Sequence, residues 1–311
     1  MLPMIQGVIA RRMLLNFRAD AEVVQRLLPA PLQVDQQNGH AIVGVCLIRL
    51  ENLRPYGVPG PLGLSSENMA HRVAIRYPGS EGIRPGVFVW RRETDQRLVE
   101  LLGGRLFPGV HHHARFRVSE NKNRLSMDVT SDEGKADVRF SARVSDEWRQ
   151  TPSFGSFDEV SEFFRKGDCG FSCSLRGDEL EGLQLKTLKW EMVPMEVESQ
   201  RCAFYSDSQR FPAGSLDFDC GLLMRGLPHE WHQLTDIPEL AINEPDLASF
   251  LRQTASLTVE TSPLHSQPRS ERKRLFSTVN ARTRRDNPQS RTVLWAHGAR
   301  YIRLHPHQQG A

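Results

Sequence analysis

Short runs of alternating apolar and polar residues, separated by turn sequences, recur through residues 1–232. Alternation with a period of two is typical of strands that have one buried face. Candidate strands lie at residues 8–17, 33–35, 40–50, 69–77, 86–92, 124–131, 136–144, 170–175, 182–188, 191–198, 202–205 and 216–224, besides one that begins near residue 111. Many strands with hairpin-length connections predict a mainly β, α+β protein, in which an antiparallel sheet closes into a barrel or cone.

Local signals place a few short helices and one tight hairpin beside this sheet. Asn38-Gly39 supplies the two positive φ angles of a type I′ turn. Asp20 is a candidate N-cap for a helix, and residues 156–159 (SFDE) form a capping box that starts another helix, which Gly167 ends. These helices are predicted to flank the sheet.

Charge is distributed unevenly along the 311 residues. Residues 233–311 carry 11 Lys or Arg and 7 Asp or Glu, whereas the whole chain carries 40 and 37, so residues 1–232 have a net charge of −1. We therefore predict a folded domain over residues 1–232 that does not bind nucleic acid, and a basic, largely disordered tail over residues 233–311.

The class of protein is bounded by what the composition lacks. The sequence contains no run of about 18 apolar residues and no secretory leader pattern, so we expect a cytoplasmic protein without a membrane span. The five cysteines include one CxxxC pair, Cys169 and Cys173. A single pair is a weak zinc signal, so we predict reduced thiols and neither a metal nor a cofactor.

Residues 103–116, GGRLFPGVHHHARF, are the stretch richest in chemistry. Gly103 or Gly104 is predicted to end a helix with a positive φ, and Pro108-Gly109 to turn the chain into a strand. In that strand His111 and His113 would share one face while His112 takes the other. At least one imidazole should therefore point inward.

Several segments resemble a known superfamily. FRAD at 17–20 and LPAPL at 28–32 resemble the N-terminal segment of acetoacetate decarboxylases, and Gly104-Arg105 resembles the dipeptide before their catalytic lysine. GLSSEN at 63–68, RRETDQRL at 91–98, GGRLFPGVHH at 103–112 and LLMRGLPHEW at 222–231 are similar to YqjF-like uncharacterised bacterial proteins of the acetoacetate decarboxylase-like superfamily. Over residues 5–232, the resemblance implies a closed β-barrel or cone with flanking helices and an internal cavity for a small molecule.

The chain departs from the decarboxylases at their Schiff-base lysine. Counted without gaps from Gly104-Arg105, the family's Lys-Lys pair falls on His112-His113. Imidazole cannot form the iminium that acts as the electron sink, and Lys186 and Lys189 lie on a later predicted strand. Schiff-base decarboxylation is therefore not expected.

The remaining chemistry points to a small carboxylate or oxo acid. Imidazole titrates near neutral pH, so His111, His112 and His113, with Glu67, are candidate acid-base residues of a lyase or isomerase. Arg105 and Arg92 are candidate ligands for the substrate carboxylate. Three alternatives stay open: a metal site of His111, His113 and Glu67; a non-catalytic barrel that binds a small ligand; and a purely structural histidine strand. A homo-oligomer is also compatible with the sequence.

Overall fold

A computed structural model describes residues 4–59, 62–103 and 108–239. Its strands are β1 Ile5–Asp20, β2 Gln33–Val34, β3 Gln36–Gln37, β4 His40–Pro55, β5 Leu64–Gly79, β6 Gly82–Thr94, β7 His111–Glu120, β8 Arg124–Ser131, β9 Val138–Val144, β10 Cys169–Cys173, β11 Leu180–Thr187, β12 Val193–Cys202 and β13 Leu216–Gln233. Its helices are α1 Ala21–Gln25, α2 Arg97–Leu102 and α3 Phe157–Lys166, with a 3-10 helix at Phe204–Ser206.

The sheet closes on itself. Hydrogen-bonded neighbours follow the order β1-β4-β5-β6-β7-β8-β9-β12-β13, and β13 pairs with β1 again. Strands β10 and β11 form a second connection, from β6 to β13. The predicted closed, mainly β architecture is therefore confirmed.

Two neighbouring pairs depart from the antiparallel pattern. Strand β6 runs parallel to β7 and to β10, whereas the other pairs are antiparallel among the described residues. The connection permits a parallel β6–β7 pair, because the two strands are not joined by a tight hairpin and α2 lies between them in sequence.

The sheet has an inner and an outer face, each with its own core. We call inner the face that carries Met13, Leu15, Leu47, Met69 and Leu223, which belong to one buried cluster. The outer face carries a second buried cluster, which includes the α3 residues Val160 and Phe164. Residues of β1, β4, β5 and β13 contribute to both clusters, whereas the buried apolar residues of β8 and β9 belong to the inner cluster alone.

The predicted caps and turn are confirmed. Asp20 Oδ1 accepts hydrogen bonds from the backbone N–H of Glu22 and Val23 at 2.8 and 3.1 Å. Ser156 Oγ accepts from the Glu159 N–H at 3.2 Å, and Gly167 is the C-cap of α3. The second half of the predicted capping box is displaced by one residue, since Glu159 Oε2 accepts from the Gly155 N–H at 2.7 Å. Asn38 and Gly39 have φ angles of 49° and 82°, as the type I′ turn requires.

The predicted domain boundary at residues 232 and 233 falls at the end of β13. The chain stays attached to the sheet a little further, since Leu234 and Ile237 pack against the inner cluster. Most of the predicted tail, from residue 240 onward, lies outside the described residues. None of the helices in the described ranges has the length and hydropathy to cross a membrane.

Candidate active site

The register between strands identifies His112 as the histidine that faces inward. Glu93 of β6 pairs with His112 of β7 and with Met69 of β5. Residues paired directly across a sheet share a face, and Met69 belongs to the inner cluster. Ala114, two residues beyond His112, is fully buried in the same cluster. The predicted alternation is thus confirmed, with His112 on the inner face.

An inner polar cluster surrounds His112. It comprises His71, Arg91, Glu93, His112 and Glu133. Arg91 Nε donates to Glu93 Oε1, and Arg91 Nη1 donates to Glu133 Oε2 at 3.0 Å. His112 Nδ1 lies 3.4 Å from Glu133 Oε1. The five side chains come from β5, β6, β7 and the turn after β8, so they meet only in the closed sheet.

His71 forms the deepest part of this cluster. The residue is fully buried, as is Glu93, and its ring stacks on Phe204 with centroids 4.4 Å apart. Its Nδ1 lies 3.9 Å from Cys202 Sγ, and its Nε2 lies 3.9 Å from Glu93 Oε2. Neither His71 Nε2 nor Glu93 Oε2 has a hydrogen-bond partner among the described residues. Two polar atoms therefore face each other at a separation too long for a hydrogen bond.

Burial changes the protonation of the cluster. It raises the pKa of Glu93 to about 7, although the Arg91 guanidinium opposes this shift. It lowers the pKa of His112 to about 4 and that of His71 to about 3, and in both cases Arg91 lowers the pKa further. Near neutral pH the cluster therefore holds neutral imidazoles beside a carboxyl group close to its midpoint of titration.

A second polar layer, the arginine layer, lies next along the inner face. Arg11 pairs with Arg225 and Arg49, and Arg49 pairs with Glu67. Glu67 Oε2 accepts a hydrogen bond from Arg11 Nη2 at 2.6 Å, and its Oε1 lies 3.9 Å from Arg49 Nη1. Glu120, from the end of β7, accepts from Arg11 and Arg225.

Glu67 therefore shares the inner face with His112 but lies in the neighbouring layer. It precedes Met69, the partner of Glu93, by two residues, which corresponds to about 7 Å along a strand. Only 8% of its surface is exposed, and burial raises its pKa, although Arg11 opposes the shift. Arg105, the predicted partner of both groups, lies outside the described residues.

His111, His113 and Arg92 are not brought to the inner face. His111 pairs with Arg92, and Arg92 Nη1 donates to Ser172 Oγ of β10. His111 Nδ1 lies 3.1 Å from the Gly109 carbonyl oxygen, and burial lowers the pKa of His111 to about 3. His113 Nδ1 lies 3.1 Å from Asp132. Their predicted roles would have to be fulfilled away from His112.

The metal alternative meets the same obstacle. His111 and His113 face away from Glu67, so the three proposed ligands do not converge. Within residues 4–59, 62–103 and 108–239, no group of three His, Cys, Asp or Glu side chains is placed to hold a metal ion.

The turn before β7 differs in one respect from the sequence-based expectation. Gly103 caps α2 with a φ of −59°, so it does not adopt the predicted positive φ, and the alternative, Gly104, lies outside the described residues. A Cβ atom at this position would lie 2.6 Å from His111 Nδ1, so glycine allows the helix end to approach the imidazole. The predicted Pro108-Gly109 turn is confirmed, with a φ of 72° at Gly109.

Sequence analysis missed His71 and Glu93 as members of the site. Alternation from the buried inward residue Phe88 does not lead to Arg91 and Glu93, because a register shift between Val89 and Arg91 is needed to bring them to the same face. Charged residues that share the buried face of a strand need partners. The partners themselves come from β5 and from the turn after β8, and local sequence does not reveal them.

Comparison with solved structures shows which known proteins share the fold. The chain has the fold of acetoacetate decarboxylase from Legionella pneumophila, with a TM-score of 0.52 at 13% identity over 78% of this chain and 90% of that chain. An acetoacetate decarboxylase-like enzyme from Sphingomonas wittichii RW1 has a TM-score of 0.51 at 13% identity, over 76% of this chain and 93% of that chain. The enduracididine biosynthesis enzyme MppR, in complex with pyruvate, has a TM-score of 0.50 at 11% identity, over 76% of this chain and 92% of that chain.

A family match makes the identification more specific. Residues 9–215 match the model of the DUF2071 family, described as an uncharacterized conserved protein, and the chain belongs to this family. No protein of curated function matches the chain. The predicted membership of an uncharacterised family with an acetoacetate decarboxylase-like fold is confirmed.

The described lysines are all on the surface. Exposed side chains are found at Lys122, Lys135, Lys166, Lys186 and Lys189. Within the described residues, the inner face therefore offers His112 and Glu93, and no amine, for chemistry on a carbonyl compound.

Proposed function

We propose that the interior of the closed sheet binds a small carboxylate or oxo acid, and that His112 moves a proton to or from it in a lyase or isomerase reaction without a Schiff base. The observation that carries this proposal is the position of His112, which lies on the inner face in register with Glu93 and one layer from Arg11. His112 as an acid-base group and Arg11 as a cationic anchor would thus both face the interior of the closed sheet.

Glu133 gives His112 a defined role. A carboxylate beside Nδ1 favours the tautomer with the proton on that nitrogen, so Nε2 is left as a proton acceptor. With a pKa of about 4, the imidazole is neutral at pH 7 and free to accept a proton, but it is a weak base. The Glu93 carboxyl, with a pKa of about 7, is better matched to neutral pH and is in register with His112.

The arginine layer supplies the charge that would hold the substrate. Guanidinium groups bind carboxylates through paired hydrogen bonds, and Arg11 is 6% exposed. The two layers are about 7 Å apart, which suits an acid of three or four carbon atoms held at its carboxylate with its carbonyl end near His112. MppR, which shares the fold, forms a complex with pyruvate, and this supports an oxo acid as the ligand class.

A non-catalytic ligand-binding barrel is the alternative. It is favoured by the pairing within the inner polar cluster, where Arg91 contacts both Glu93 and Glu133 and His112 contacts Glu133. A cluster whose charged members pair with one another can stabilise a fold without reacting, although His71 Nε2 and Glu93 Oε2 have no partner among the described residues.

Proton exchange in deuterium oxide tests the proposal. Pyruvate, acetoacetate and 2-oxobutyrate would each be incubated with the protein, and the loss of signal from protons next to the carbonyl would be followed by NMR. Saturation transfer in the same samples reports binding. We expect enzyme-dependent exchange with at least one acid, and a loss of about 100-fold in the His112→Asn variant.

His113→Asn is the matched control, because His113 is adjacent in sequence and lies on the opposite face. It should retain exchange. An equal loss in both variants would show that the histidine strand acts only structurally. Binding without exchange would favour the non-catalytic alternative, and neither binding nor exchange with any of the acids would reject the proposal.

A further inference from the structure

We propose that Arg11 and Arg225 form a carboxylate-binding site which Glu120 occupies in this structure, and that a substrate carboxylate takes over this site when Glu120 withdraws. This inference rests on the proposed function, since it identifies where an oxo acid would be anchored. Glu120 would then act as a built-in competitor of the substrate.

The contacts of Glu120 are those expected of a bound carboxylate. Its Oε2 accepts from Arg11 Nη1 at 2.8 Å. Its Oε1 accepts from Arg225 Nη2 at 2.6 Å and from Arg225 Nε at 3.2 Å. The two guanidinium groups come from paired positions of β1 and β13, so they are held side by side by the backbone ladder. One small carboxylate can therefore engage both.

Glu120 is ionised in this position. Burial tends to raise its pKa, but the hydrogen bonds from Arg225 and Arg11 outweigh burial and hold the pKa below its usual value. The group on the two arginines is thus an anion, chemically equivalent to the carboxylate of an oxo acid.

Glu120 is also the member of the layer that is best placed to leave. It ends β7 at the tip of the β7–β8 hairpin, next to the exposed turn at residues 121–123. Its side chain is 28% exposed, whereas that of Glu67 is 11% exposed and lies within β5. The Glu67 N–H also donates to Asp95 Oδ1 at 3.0 Å. Glu67 is therefore the fixed partner of Arg11, and Glu120 is the exchangeable one.

Withdrawal of Glu120 would leave uncompensated positive charge that favours the binding of another anion. Without Glu120, Arg49 would still form ion pairs with Glu51 and Glu67, and Arg11 would still form its ion pair with Glu67. Arg225 forms its ion pair with Glu120, so it would be left without a carboxylate from the described residues. A substrate carboxylate restores the same charge balance at the same donors.

The test uses the whole 311-residue chain and its variant Glu120→Gln, which keeps the side-chain size and removes the charge. Its dissociation constant for pyruvate, measured by calorimetry, should be about tenfold lower than that of the wild type, because the competing anion is gone. Arg225→Gln added to Glu120→Gln should abolish this gain. Glu196→Gln is the matched control, since Glu196 pairs with Arg143 at 3.1 Å outside the arginine layer. It should bind pyruvate like the wild type.

Sulfate separates failure of this inference from failure of the proposed function. At constant ionic strength, sulfate should raise the melting temperature of Glu120→Gln more than that of the wild type, and the added Arg225→Gln should remove the effect. A response to sulfate without pyruvate binding would support an anion site and reject the oxo acid. Pyruvate binding that is unchanged or weaker in Glu120→Gln would overturn the competitor role while leaving the proposed function intact. No response of Glu120→Gln to either anion would overturn the site.

Discussion

Replacing His71 with leucine should remove a loss of stability of about 2 kcal/mol that His71 causes when the pH falls from 7 to 5. His71 is fully buried against Phe204, and burial lowers its pKa to about 3. A histidine in the unfolded chain has a pKa of about 6.5, so below this pH the imidazole is protonated in the unfolded state but stays neutral in the folded state. The free energy of unfolding therefore falls as the pH drops from 6.5 towards 3. The loss amounts to about 2 kcal/mol at pH 5, since each pH unit is worth about 1.4 kcal/mol.

Glu93 acts in the opposite direction and must be separated. Its pKa of about 7 exceeds the usual value of 4.5, so between these pH values the folded state binds more protons than the unfolded state. The contribution of Glu93 to stability therefore decreases as the pH rises through this window. Because Glu93 is present in both the wild type and His71→Leu, its effect cancels to first order in the difference between them. Repeating the comparison in a Glu93→Gln background removes the remaining coupling.

Urea denaturation at pH 7, 6 and 5, followed by tryptophan fluorescence, measures the free energies. The difference between wild type and His71→Leu should shift by about 2 kcal/mol between pH 7 and pH 5 in both backgrounds. Any constant cost of placing leucine beside Phe204 appears at each pH and subtracts out. If the two curves run parallel in both backgrounds, His71 is not the neutral, buried imidazole that its surroundings imply, and the account of the inner polar cluster is wrong.

Two further predictions concern the turn before β7 and the lysines. Gly109→Ala should lower the free energy of unfolding by about 2–4 kcal/mol, because the new Cβ would lie 2.6 Å from Arg92 Nη1 and the backbone would be strained by its positive φ. Gly134→Ala is the control: it has a φ of 69° and open space around its Cβ, so it should lose only the backbone part, about 1–2 kcal/mol. Equal losses in urea denaturation would show that Arg92 moves aside freely. Borohydride added with pyruvate should leave the protein mass unchanged, since the described lysines are exposed; a reduced adduct on Lys186 or Lys189 would restore Schiff-base chemistry.

The sequence was sufficient for properties that depend on neighbours along the chain. The caps at Asp20 and Ser156 and the turn at Asn38 follow from local hydrogen bonds, and the alternation at His112 follows from strand geometry. Which face of β7 is buried depends on partners far along the chain. The parallel β6–β7 pair sets Glu93 beside His112, and a hairpin prediction cannot supply that register.

The inner polar cluster joins residues from two separate sequence segments. Arg91 and Glu93 belong to the RRETDQRL segment and His112 belongs to GGRLFPGVHH, and each segment alone leaves charged or polar groups on a buried face. Unpaired burial of such groups costs several kcal/mol, so the two segments become compatible with a core only when the sheet brings them into contact. His71 and Glu133, which neither segment contains, complete the pairing.

The position of His112 links this arrangement to the chemistry of the fold. Gap-free counting places the lysine pair of the decarboxylases at His112 and His113, and the inward-facing member of the two is His112. An imidazole at an inward position can exchange a proton with a bound oxo acid, but it cannot hold the substrate carbon as an iminium. The electron pair left by proton removal would therefore have to be stabilised as an enolate, by charge rather than by covalent bonding. Under the proposed function, Arg91 and the arginine layer would supply this positive charge on the same inner face, so proton transfer next to a carbonyl would be favoured over decarboxylation through a Schiff base.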